Sequence, residues 1–206
     1  MSTTVNIYRK TGERVVTPLD DKRGTIGIWL LIATEASLFI TLFCAYFLEG
    51  NNKNRWLIDQ PPKFTYALIL LAILIGSSLV LMWGEREVKR QRYGAGRLAM
   101  LVTVLMGLGF LVLQSFEYIS HWKSLTPYSD SYGSIFYTIT TFHAAHVIVG
   151  LLILGYVLCL PRFGPTSEFP YLPYHVASLY WHFVDVVWIF VVVILYLIPN
   201  GIVYGH

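Results

Sequence analysis

Leu179-Tyr180-Trp181-His182-Phe183-Val184-Asp185-Val186-Val187-Trp188-Ile189-Phe190 lies inside an apolar run that extends from Tyr171 to Ile198. A bilayer is crossed by about 20 mostly apolar residues in a helix, and this run is long enough. Working outward, four more runs of that kind precede it, from Thr25 to Leu48, Phe64 to Trp83, Arg97 to Ser120 and Gly133 to Leu160. They are solid and do not alternate, which points to helices and away from barrel strands. The fourth run exceeds what the bilayer needs, so its helix is expected to tilt or to project into water. The expectation is an all-α, polytopic membrane protein with a bundle of five transmembrane helices across residues 25–198.

Composition agrees. Of 206 residues, 55% are hydrophobic and 13% charged, and the mean hydropathy is +0.57. A soluble domain carries about 25% charged residues, so a water-soluble enzyme is excluded. The two cysteines, Cys44 and Cys159, are far apart and each sits in an apolar run, which excludes a disulfide-built secreted domain. The net charge of +3 comes without a basic block, so nucleic acid is no partner. Residues 1–24 lack the apolar stretch of a signal peptide and read as a cytoplasmic arm. Residues 199–206 read as a short outer tail.

Positive charge sets orientation. Arg9, Lys10, Arg14, Lys22 and Arg23 precede the first span; Arg86, Lys89, Arg90, Arg92 and Arg97 join the second to the third; Arg162 joins the fourth to the fifth. These eleven lie on one side of a five-span chain. The other side holds Lys53, Arg55, Lys63 and Lys123. The N-terminus is therefore expected in the cytoplasm and the C-terminus outside.

A carboxylate facing lipid at a helix centre costs about 2.5–3.5 kcal/mol on insertion scales. Three acids fall within the runs: Glu35, Glu117 and Asp185. Each must face protein, water or a partner, or keep its proton. Glu35 lies ten residues past Thr25, near mid-membrane, among Ala33, Thr34, Ala36 and Ser37, small residues that let another helix approach. It reads either as a proton-relay or inter-subunit acid, or as a protonated carboxyl hydrogen-bonded between helices. Phe110, Gln114, Glu117 and His121 share a face of the third span, as a polar seam would. His143 and His146 share a face of the fourth, and His175, Ser178, His182 and Asp185 form a stripe on the fifth. Neutral imidazoles there bind a metal or haem iron, or else hold helices together, with Asp185 orienting His182. Gly76-Ser77-Ser78 and the pair Gly107 and Gly109 read as sites of close helix approach. A phosphate-binding loop, a His-Glu-x-x-His motif and a Gly-x-Ser-x-Gly elbow are all missing from the sequence.

The stretch from Tyr180 to Trp188 closely resembles the Tyr-Trp-His-Phe-Val-Asp-Val-Val-Trp signature of haem-copper oxidase subunit III, the cytochrome c oxidase subunit III family. Thr141-Phe142-His143-Ala144-Ala145-His146-Val147 resembles that family's Phe-His-Gly-x-His-Val segment. Gly109-Phe110, Gln114, Glu117 and Tyr118 resemble its Gln-x-x-Glu-Tyr segment, and Thr34-Glu35-Ala36 with Phe39 the segment around its embedded glutamate. The resemblance runs from about Gly24 to Leu197.

It implies an accessory subunit without catalytic residues, metal or redox cofactor of its own. The haems and copper would lie in partner subunits, the catalytic subunit I and subunit II, of a respiratory complex or supercomplex. The subunit would support proton uptake, hold structural phospholipids and sit in a bacterial inner membrane. Glu35 would be the family's buried acid. Gln114, Glu117, His143, His146, His175, His182 and Asp185 would be inter-helix or lipid-site residues, with Arg162 placed to meet a lipid phosphate. Two alternatives stay open: a subunit III-like protein of a quinol oxidase or nitric oxide reductase, and an independent di-His haem b electron carrier. The chain departs from the family in lacking the first two helices of its seven-helix members. It also has Ala144 for a glycine, Leu179 for a tryptophan, and His175 where a glutamate is usual.

Overall fold

The computed structural model describes residues 18–52, 64–121, 131–160 and 171–198. These form five helices: α1 (Pro18–Asn52), α2 (Phe64–Lys89), α3 (Tyr93–His121), α4 (Ser131–Cys159) and α5 (Tyr171–Val191). The last continues as a π-helical segment, Val192–Leu197. All five are long and apolar enough to cross a membrane, the one open-chain solution that satisfies every backbone group without water.

Two helices are longer than the hydropathy of the sequence suggests. α1 begins at Pro18, so residues 18–24 of the expected arm are helical. Proline suits a first helical turn, where its missing N–H would have no partner anyway. Residues 1–17 and the tail 199–206 lie outside the described residues, as does Arg162. α2 runs on past Trp83 to Lys89. The hydropathy falls at Gly84-Glu85-Arg86-Glu87, yet the helical hydrogen bonds continue, and this carries a further acid, Glu85, into the bundle.

α2 ends in a tight turn built by hydrogen bonds from Gln91 N to Val88 O (2.9 Å) and from Arg92 N to Glu87 O (2.9 Å). This is the Schellman arrangement, which needs a left-handed residue after the helix. Gln91 takes that conformation, with φ 63°. The buried Glu87 carboxylate accepts from Arg90 (3.1 Å) and Arg92 (3.4 Å) across the turn. α3 then returns along α2.

α5 is the central element. It packs against α1, α2 and α4, while α3 packs on α2 and α4. Within its apolar stretch 56% of residues are buried in the protein, against 11% for α1. Trp181 shows why. Its ring is fully buried, and its indole N–H donates to Ser77 Oγ of α2 at 2.9 Å. A Cβ on Gly107 of α3 would lie 2.6 Å from that ring, and one on Gly150 of α4 2.9 Å from it. Two glycines thus let one indole touch three helices. Gly109 behaves differently: a Cβ there would meet nothing within 4 Å, so only Gly107 of that expected pair is a close-approach site.

Candidate functional site

The polar residues within the bundle fall into three groups. In the first, Glu35 of α1 meets His146 of α4, with Oε2 and Nε2 2.9 Å apart. Beside Glu35, Thr34 and Ser37 are exposed in the isolated chain, and their hydroxyls donate to the carbonyls of Leu31 and Thr34 at 2.7 Å. His146 Nδ1 lies 2.7 Å from the Phe142 carbonyl, which can only accept, so Nδ1 carries a proton. Nε2 then either accepts from a protonated Glu35 or, as imidazolium, donates to its carboxylate. The pair therefore shares one proton between α1 and α4. Phe39 covers the imidazole, ring centroids 4.9 Å apart.

The second group joins α3, α4 and α5, with His143 about one turn from His146. Phe110, Gln114 and Glu117 are all buried, as their common face predicts. The side chain of His121 is outside the described residues. Glu117 accepts from Tyr196 Oη of the π-helical segment at 3.0 Å. His143 is fully buried, but it does not tie helices together by hydrogen bonds. Neither ring nitrogen has a partner among the described residues. Its ring packs on Trp188, centroids 4.7 Å apart, and meets the Phe110 ring edge-on at 5.8 Å.

The third group joins α2 to α5. Asp185 does not touch His182 directly. Ser78 of α2 stands between them, donating to Asp185 Oδ2 and lying 2.6 Å from His182 Nδ1. Ser178 lies 3.1 Å from His182 Nε2 and 3.3 Å from Glu85 Oε2. The other oxygen, Oε1, meets Tyr171 Oη at 2.7 Å, His175 Nδ1 at 3.1 Å and Lys89 Nζ at 3.3 Å. The Lys89 ammonium also sits over the Tyr171 ring, 5.2 Å from its centroid. Lys89 is 56% exposed and Glu85 14%, so the group runs from the rim of the bundle into its interior.

Sequence reasoning places His175, Ser178, His182 and Asp185 on one stripe, and the structure keeps them there. It misses the α2 members: Ser78 reads as a small packing residue, and Glu85 and Lys89 lie beyond the second apolar run. One signal was available: Ser78, Glu85 and Lys89 are spaced 7 and 4 apart, so they share a face. His175, which stands where the resembled family has an acid, meets an acid from α2.

Among the described residues no group of three or more His, Cys, Asp or Glu side chains is arranged to hold a metal ion.

The family model for cytochrome c oxidase subunit III matches residues 17–199. The chain belongs to that family. As a subunit III of a haem-copper oxidase it is a multi-pass membrane protein of an oxidase complex. It is 33% identical over 198 residues to the cytochrome c oxidase subunit 3 of Bacillus subtilis, covering 94% of each chain. The corresponding protein of Synechocystis is 35% identical over 179 residues, 84% of this chain and 74% of the relative. That of Drosophila yakuba is 32% identical over 180 residues, 82% of this chain and 67% of the relative.

Proposed function

We propose that the chain is the accessory, non-redox subunit III of a proton-pumping terminal oxidase. It stabilises the catalytic subunit, supports proton uptake from the cytoplasm and holds structural phospholipids in a bacterial inner membrane. The observation that carries this reading is the near full-length likeness to subunit 3 of Bacillus subtilis oxidase. The partners are the haem- and copper-bearing subunit I and subunit II, which carry the redox centres.

The geometry of two imidazoles, His146 and His182, supports a role without haem. Both nitrogens of His146 are engaged, by Phe142 and Glu35. Both nitrogens of His182 are engaged by serines. Ligation of iron would break these bonds inside the membrane, where each costs more to lose than in water. α1 is the least buried span and presents Glu35, whose side chain is 32% exposed in the isolated chain. A partner subunit seated on α1 would meet this proton-sharing pair.

The test is affinity purification of the tagged full chain from its native membranes. A complex containing a haem-copper subunit with an oxidase spectrum is expected. A stable complex without such a subunit overturns the proposal. A Soret band in the chain separated from its partners would instead identify an independent haem carrier.

A further inference from the structure

We propose that Glu85, Ser178, His182, Ser78 and Asp185 form a proton wire, through which the interior Asp185 exchanges a proton with water at the rim of the bundle beside Lys89. The wire itself rests on these side chains alone, whereas its use in oxidase proton traffic rests on the function proposed above.

The argument is a count of hydrogens. Four contacts join the five groups in series: Glu85 Oε2 to Ser178 Oγ (3.3 Å), Ser178 Oγ to His182 Nε2 (3.1 Å), His182 Nδ1 to Ser78 Oγ (2.6 Å), and Ser78 Oγ to Asp185 Oδ2. Each hydrogen bond needs one proton. The two hydroxyls supply two. The other two must come from the imidazole and the carboxyls. Three arrangements satisfy all four bonds. Glu85 is protonated, His182 is neutral with its proton on Nδ1, and Asp185 is a carboxylate. Alternatively Asp185 is protonated, His182 is neutral with its proton on Nε2, and Glu85 is a carboxylate. In the third, His182 is the cation between two carboxylates. All three hold the same number of protons and the same net single negative charge.

They interconvert by shifts of one bond each. The Glu85 proton passes to Ser178 Oγ, the Ser178 proton to His182 Nε2, the Nδ1 proton to Ser78 Oγ, and the Ser78 proton to Asp185 Oδ2. Every hydroxyl has then donated once and accepted once, and one proton has crossed from Glu85 to Asp185. The reverse shift returns it. Glu85 and Ser78 are seven residues apart on α2, so the transfer covers about 10 Å along the helix axis.

The two ends differ as a wire requires. Ser178 and Asp185 are buried, at 1% and 5% exposure, and Ser78 and His182 between them are half-buried. Glu85 turns its other oxygen toward Lys89, Tyr171 and His175. There it meets the exposed end of α2 and exchanges protons with bulk water. A staple between two helices would need only one such bond. Five groups in unbroken series, each able to donate in one state and accept in the other, are what proton transfer demands.

The experiment uses the purified complex that contains this chain, labelled with 15N-histidine and observed by solid-state NMR. His182 keeps at least one N–H in every arrangement, and His182→Gln assigns its signals by their loss. In the unaltered complex both ring nitrogens report hydrogen bonding, and the ring protons exchange with D2O. Ser178→Ala cuts the wire on the rim side and slows that exchange by at least about tenfold, the rate effect of one lost bond of roughly 1.4 kcal/mol. Ser178→Thr restores the hydroxyl and the rate. Ser78→Ala leaves rim-side exchange fast and freezes the imidazole as one tautomer. Should Ser178→Ala not assemble, Glu85→Gln keeps a hydrogen-bonding group but no transferable proton, and slows exchange likewise. Exchange equally fast in Ser178→Ala or Glu85→Gln, or a ring proton in the unaltered complex that never exchanges, overturns the wire. Neither result depends on which subunits co-purify, so failure here and failure of the oxidase reading are told apart.

Discussion

Trp181 reaches three neighbouring helices, because two neighbours have no Cβ. Gly107 and Gly150 leave room for the indole, and Ser77 takes its N–H. Gly107→Ala would bring a methyl group within 2.6 Å of the fully buried, rigid Trp181 ring and 2.7 Å of Leu151 Cδ2. Overpacking of this kind costs about 1–3 kcal/mol. We expect the variant to lower the thermal midpoint of the detergent-purified protein, whereas Gly109→Ala, whose Cβ would meet nothing within 4 Å, does not lower it and raises it through the helix preference for alanine, about 0.5–1 kcal/mol. Equal effects from the two would mean that the indole is not held as described. Among the acids the same scale separates roles: Glu117 accepts from a tyrosine hydroxyl, Glu35 meets an imidazole, and Glu85 meets a cluster on both its oxygens.

At the scale of elements, the α2–α3 hairpin turns on a residue type poorly suited to its place. Gln91 stands left-handed at φ 63°, a conformation that costs a residue with a Cβ about 1–2 kcal/mol and that glycine adopts freely. Glycine loses part of that gain through its looser unfolded chain. Gln91→Gly is therefore expected to stabilise the hairpin by a net of about 0.5–1 kcal/mol, read as a higher midpoint in thermal unfolding. A lower midpoint would show that the Gln91 side chain contributes more than its backbone costs. The turn also explains why α2 outlasts its hydropathy. Glu87 accepts from Arg90 and Arg92, so the charged end of the helix neutralises itself while Glu85 turns inward to α5.

At the scale of the molecule, the helices are unequally secured. α5 is enclosed by α1, α2 and α4, whereas α1 leaves most of its apolar surface outward, including Trp29, Leu30, Ile40 and Leu48. Local opening is easiest where buried contacts are few. Hydrogen exchange followed by mass spectrometry should find α1 the least protected helix in the isolated chain. It should gain protection on assembly into the complex, and α5 should change little. An α1 that is equally protected alone and assembled would show that its outward face meets only lipid or detergent.

Hydropathy, charge asymmetry and four local patterns were enough to read five spans, their order and the family, because each depends on residue type and short spacing alone. The bilayer enforces the first of these: any solid apolar run of sufficient length must become a helix there. Helical periodicity likewise put His175, Ser178, His182 and Asp185 on one stripe of α5. What stood opposite that stripe was invisible. Ser78 and Glu85 lie about a hundred residues away, one looking like a packing residue and the other like the start of a polar loop. Only the packing of α2 against α5 turns them into partners, just as only the contact of α1 with α4 joins Glu35 to His146. A hydrogen bond depends on distance and direction between atoms, and for residues so far apart in the chain these exist only once the helices have packed.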